Sequence, residues 1–193
     1  MTDSATNPVP APPTGWARIA RRIRVPLGFL FAIFYFYVAH PTWASIAAGL
    51  ALAAPGVLIR AAASGHIHKN EQLTTSGPYA YTRNPLYLGS FIIALGFAVA
   101  SRSLWIAAVM VVMLLAIYLP VILSEEDFLR QRFNEFEDYA RNVPRLFPKL
   151  RGGRHNVAFS WDLYLKHREY NALLGTLGMM AALAVKLLFA DRY

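Results

Sequence analysis

Apolar residues along the chain gather into five long runs separated by short polar or Pro-containing segments. A helix that crosses a bilayer needs about 20 predominantly apolar residues. The runs predict such helices over residues 19–38, 42–62, 85–100, 104–123 and 170–190. His40-Pro41 ends the first, because Pro disfavours helix in the residue before it. Pro55 is a candidate kink in the second, and Pro85 suits the first turn of the third. Lys186 lies in the last turns of the fifth, where a long cationic side chain snorkels to the interface. In residues 125–140, Phe128, Leu129, Phe133, Phe136 and Tyr139 recur at helical spacing between charges. That pattern predicts an amphipathic helix lying on the membrane, either as a lid over a neighbouring groove or as an interfacial anchor. The expected fold is therefore all-α: a polytopic membrane protein with about five transmembrane helices and a cytoplasmic amphipathic helix. One membrane domain is expected over residues 16–193, after a polar, Pro-rich tail (residues 1–15) that is expected to be disordered and lacks the apolar run of a secretory signal.

Composition sharpens this picture. Hydrophobic residues make up 56% of the 193 positions and charged residues only 16%, against about 25% charged in ordinary soluble domains. There is no Cys, which excludes disulfides, thiolate metal sites and Cys nucleophiles; no metal site is expected. The formal net charge is +8. Its Lys and Arg lie mainly at the N-terminal cluster (Arg18, Arg21, Arg22, Arg24) and in residues 124–169. With five spans, these segments and residues 63–84 fall on one side, which the excess of basic residues assigns to the cytoplasm. The topology rule accounts for the charge without nucleic-acid binding.

Polar residues concentrate in two places, residues 66–87 and Ser124-Glu125-Glu126-Asp127. A short turn at 101–103 makes the third and fourth helices a hairpin, so Arg83, Asn84 and Tyr87 are expected to face Glu125 and Glu126 across one groove. Carboxylates at a helix C-terminal end are disfavoured by the dipole, so a cation is welcome beside them. Tyr79, Tyr81 and Tyr87 offer ring faces to a flat or cationic ligand. Taken alone, the same residues also fit interfacial ion pairs and an aromatic belt.

Residues 71–87, EQLTTSGPYAYTRNPLY, resemble the signature of the isoprenylcysteine carboxyl methyltransferase family, which is grouped with the phospholipid N-methyltransferases. Leu73, Thr75, Gly77, Tyr79, Arg83, Pro85, Tyr87 and Gly89 stand at the motif positions. A second block follows in Glu125, Glu126, Leu129, Phe133, Tyr139, Val143 and Pro144. Spacing and setting agree over about residues 60–148, the expected cofactor-binding core. The resemblance implies S-adenosyl-L-methionine as cofactor and a lipid-like or small amphiphilic methyl acceptor taken from the bilayer. It places Glu71, Gln72, Leu73, Thr74, Tyr79, Asn84, Pro85, Leu86, Tyr87 and Glu125 at the cofactor, with Glu125 pairing its ammonium. A further cofactor contact aligns near Lys69 only with a gap. Arg83 and Glu126 are the candidate catalytic residues: Arg83 to hold an anionic substrate group or to tie its loop to Glu125 or Glu126, and Glu126 or a histidine to take a proton from an ammonium acceptor. Three positions depart from the family pattern. Glu71 and Asn84 replace histidines, and Val121 replaces an arginine that contacts substrate, which weakens the case for a prenylcysteine carboxylate. Two other classes remain open on sequence, a sterol-type membrane reductase using NADPH and a non-catalytic membrane protein. The oligomeric state is not legible in the sequence.

Overall fold

The computed structural model describes residues 15–68, 72–149 and 157–190. They form an all-helical protein. Helix α1 (Trp16–Val38) and α2 (Trp43–Ser64) are joined by an extended break at Ala39. Thr42 caps α2 in a reciprocal box with Ser45, satisfying two otherwise orphaned backbone donors. A 3₁₀ turn (Gly77–Ala80) precedes α3 (Pro85–Ser101), which ends on Arg102 in the left-handed conformation. Then come α4 (Leu104–Met113), a π-helical turn (Leu114–Tyr118), α5 (Leu119–Arg132), and the short helices α6 (Phe136–Asn142) and α7 (Trp161–Lys166). The chain closes with α8 (Tyr170–Ala190).

Each predicted apolar run is helical. Among the described residues, three helices are long and apolar enough to cross a membrane: Trp43–Ser64, the continuous Leu104–Arg132, and Tyr170–Ala190. Most of each apolar window faces outward, with 28%, 22% and 17% buried, the pattern of helices solvated by lipid. α3 is shorter, at 17 residues. α1 is long, but its first turns carry four arginines. Its arginine-free remainder, residues 25–38, rises only about 21 Å against a hydrocarbon core of about 30 Å.

α2 and α3 approach closely because small residues face each other. A Cβ on Gly49 would stand 2.5 Å from the Gly96 carbonyl oxygen, and one on Gly56 would stand 2.6 Å from that of Gly89. Both pairs are reciprocal, so backbone meets backbone at two levels of the crossing. At one end of the bundle, the Tyr35 hydroxyl donates to Phe97 O at 2.9 Å and Lys186 Nζ donates to the carbonyls of Phe36, Tyr37 and Ala39. The latter are C-terminal carbonyls of α1 with no helical donor of their own.

The π turn has a local cause. Pro120 has no N–H for the Ala116 carbonyl, and its ring crowds that carbonyl. Ala116 O instead accepts from the Trp16 indole at 2.6 Å, which docks the start of α1. The surrounding apolar contact joins Ala20, Ile117 and Val121, with Ile23, Leu27, Tyr87 and Tyr118 packed against it.

The expected single amphipathic helix over residues 125–140 is instead two pieces. α5 runs straight out of the apolar segment to Arg132, Phe133 turns extended, and α6 resumes at Phe136. The break lets Phe136 bury completely, whereas an unbroken helix would carry it onward along the α5 axis.

Candidate functional site

The site lies at the end of the bundle where α1, α3 and α8 begin and α2 and α5 end. Its first wall is the turn at Gly77. Gly77 has φ 57°, and a Cβ there would meet the His66 ring at 2.5 Å, so both conformation and space call for glycine. The second motif block clamps this turn. Tyr139 Oη donates to Tyr79 O at 2.7 Å, and Arg83 N donates to Pro144 O at 2.9 Å. Thr82 Oγ1 lies 3.1 and 3.0 Å from the carbonyls of Arg145 and Leu146, and Lys149 N donates to Tyr81 O.

Successive residues on a helix point about 100° apart, and this separates the two glutamates. Glu126 turns toward the clamp. Its carboxylate, 3% exposed, accepts from Asn84 Nδ2 at 2.8 Å and Arg145 Nε at 3.0 Å, with Arg83 Nη1 at 3.4 Å. Asn84 Nδ2 also donates to Arg145 O at 3.0 Å. Glu126 is thus the hub joining α3, α5 and the 144–149 segment.

Glu125 turns into a cavity of about 740 Å³, a size typical of small-molecule sites. The Tyr87 hydroxyl lies 3.1 Å from both of its carboxylate oxygens, and Arg24 Nη1 donates to that hydroxyl at 3.3 Å. Of the expected site residues, Gln72, Leu73, Thr74, Tyr79, Arg83, Leu86, Tyr87 and Glu125 line the cavity. Asn84, Pro85 and Glu126 do not: Asn84 and Glu126 bond each other behind the wall, and Pro85 is buried under the first turn of α3. Tyr81, offered as a ring face, is exposed at 43% and stands outside. Glu71 and Lys69 lie outside the described residues. Phe128, Leu129 and Tyr139 complete one side.

Tyr79 is 7% exposed, and its hydroxyl has no hydrogen-bond partner among the described residues. Burial, reinforced by nearby Tyr139, Glu169 and Glu125, holds its phenol well above the ordinary range, so it stays a neutral donor. Burial likewise raises Tyr139.

The sequence reading missed Arg60 and Glu169, which also line the cavity. Arg60 Nη2 and Nε bond the Glu169 carboxylate at 2.7, 2.9 and 3.1 Å, and Arg60 Nη1 reaches Ser90 Oγ at 2.6 Å. The available signal was Arg60 itself, the one basic residue within an otherwise uncharged apolar run. Arg21 and Arg24 were read only as topology signals, yet they line the same cavity. Among the described residues, no group of three or more His, Asp or Glu is arranged to hold a metal ion.

With this geometry in view, residues 59–135 match the family model of phospholipid methyltransferase. The chain is also similar to the nickel-cobalt-cadmium resistance protein NccN of Alcaligenes xylosoxydans xylosoxydans, at 39% identity over 42% of this chain and 38% of that protein. It is 35% identical to the cobalt-zinc-cadmium resistance protein CzcN of Cupriavidus metallidurans, over 53% of this chain and 47% of that protein. The matches thus span less than half the length of these two relatives. No solved structure matches significantly. The matched segment runs from the end of α2 through Glu125 and Glu126, and over it the chain is similar to the phospholipid methyltransferase family.

Proposed function

We propose that this chain is an integral membrane methyltransferase that uses S-adenosyl-L-methionine and acts on a lipid-like or small amphiphilic acceptor, with the site on the cytoplasmic side. The observation that carries the reading is Glu125, an inward carboxylate oriented by Tyr87, in a cavity at the polar ends of lipid-facing helices and within the family segment. The donor set suits the cofactor. Glu125 would hold the ammonium, Gln72, Leu73 and Thr74 would form an edge, and Tyr79 would supply a ring face and an unspent hydroxyl.

The cofactor, when bound, supplies a methyl group already activated on a sulfonium. The protein's task is then alignment and exclusion of water. Tyr87 fixes the Glu125 carboxylate, while Phe128 and Leu129 keep one wall apolar. Glu126 acts as a positioning residue, since its oxygens are taken up by Asn84, Arg83 and Arg145. An acceptor that is anionic at the attacking atom needs no base.

The test is transfer of label from methyl-labelled S-adenosylmethionine to fractionated membrane lipid by the detergent-purified full chain. Label in a lipid fraction, lost in Glu125→Ala, supports the reading. No label in any lipid fraction or small amphiphile pool overturns it.

A further inference from the structure

The four arginines of α1 do not share one role. Arg18 and Arg22 are exposed, whereas Arg21 and Arg24, three residues apart on the other face, turn inward and line the cavity. Positive charge at a membrane boundary requires no such inward turn. The inward pair is held in place by the docking of α1 on the π turn, through Trp16 and the Ala20–Val121 contact.

Their partners are neutral. Arg21 Nη2 donates to Ser124 Oγ at 2.8 Å, and Arg24 Nη1 donates to Tyr87 Oη at 3.3 Å. Arg21 Nε is buried with no hydrogen-bond partner among the described residues. The other cavity-lining guanidinia differ: Arg60 is neutralised by Glu169, and Arg83 lies against Glu126. A half-buried guanidinium whose partners among the described residues are hydroxyls retains strong affinity for a carboxylate or phosphate. A cofactor of net positive charge, seated at Glu125, leaves this excess of positive charge in place.

We infer that Arg21 and Arg24 form an anion-recognition site for a phosphate or carboxylate on the methyl acceptor, one tyrosine hydroxyl away from Glu125. The inference rests on the methyltransferase reading for the word acceptor. The anion chemistry itself stands on the arginines. The donor site and the acceptor site then share Tyr87, which places the anionic group beside the cofactor.

The experiment uses the full chain in a neutral maltoside detergent and titrates dodecyl phosphate, with dodecyltrimethylammonium as the reversed-charge control. Saturable binding of the phosphate amphiphile is expected, weakened at least tenfold in R21Q/R24Q and unchanged in R18Q/R22Q. An unfolding temperature in detergent close to that of the wild type reports that R21Q/R24Q is folded. Equal phosphate affinity in wild type and R21Q/R24Q overturns the site. An equal loss in R18Q/R22Q overturns it in favour of surface charge. A loss of S-adenosylhomocysteine affinity in folded R21Q/R24Q, with phosphate binding intact, assigns the arginines to the cofactor carboxylate and overturns the acceptor role. Failure of the methyltransferase reading appears separately, as no S-adenosylhomocysteine binding by the wild type.

Discussion

The hydroxyl of Tyr87 lies 3.1 Å from both carboxylate oxygens of Glu125, tying the first turn of α3 to the middle of α5. A hydrogen bond to a charged group contributes about 1.5–3 kcal/mol. Tyr87→Phe is therefore expected to weaken S-adenosylhomocysteine binding about tenfold by freeing the Glu125 rotamer, with little change in thermal stability. Calorimetry of the variant beside the wild type checks this.

Glu126 has a different signature. Removing one partner of a buried ion pair costs about 3–5 kcal/mol, and the low end applies because Arg145 is 45% exposed. Glu126→Ala is expected to lower the apparent unfolding temperature in detergent markedly. Glu126→Gln, which keeps one acceptor oxygen, is expected to lower it less. A Glu126→Gln protein with wild-type stability and no methyl transfer would instead make Glu126 a proton carrier.

The α2–α3 crossing predicts steric intolerance at one face only. Gly49→Ala or Gly96→Ala forces backbone apart and is expected to cost about 1–3 kcal/mol. Gly178→Ala, with no atom within 4 Å of the added Cβ, is expected to be neutral or to stabilise by up to about 1 kcal/mol through helix propensity. Comparing unfolding temperatures of the three variants decides it.

Lys186 closes the opposite end of the bundle on three carbonyls of α1 and its exit. Lys186→Met keeps the stem and removes the donors. It is expected to lower thermal stability by about 1–3 kcal/mol, with cofactor affinity unchanged because the cavity is at the other end. A fall in affinity without a fall in stability would contradict that division of roles.

The helices were legible because their apolar runs are long and punctuated by Pro41, Pro85 and the 101–103 turn. That Arg83, Asn84 and Tyr87 face Glu125 and Glu126 followed from the hairpin that joins α3 to α4, but which glutamate each meets did not. Four things were not legible. The break at Phe133 is a tertiary choice, because periodicity continues across it while Phe136 buries elsewhere. The π turn frees the Ala116 carbonyl for the Trp16 indole, a contact at a separation of 100 residues. The inward turn of Arg21 and Arg24 depends on that same docking, and Val121, read as a missing cation, turns out to be part of the surface on which α1 packs. Arg60 and Glu169 were missed because they meet 109 positions apart, and neither belongs to a local motif.

The central claim is that the cavity holds S-adenosylmethionine through Glu125. Calorimetric titration of the detergent-purified chain with S-adenosylhomocysteine tests it most directly, with NADPH as the control ligand. Saturable binding that Glu125→Ala abolishes, with unfolding behaviour retained and no NADPH binding, is the expected result. A well-folded wild type that binds NADPH alone or neither ligand, or a Glu125→Ala protein with unchanged affinity, would contradict the claim.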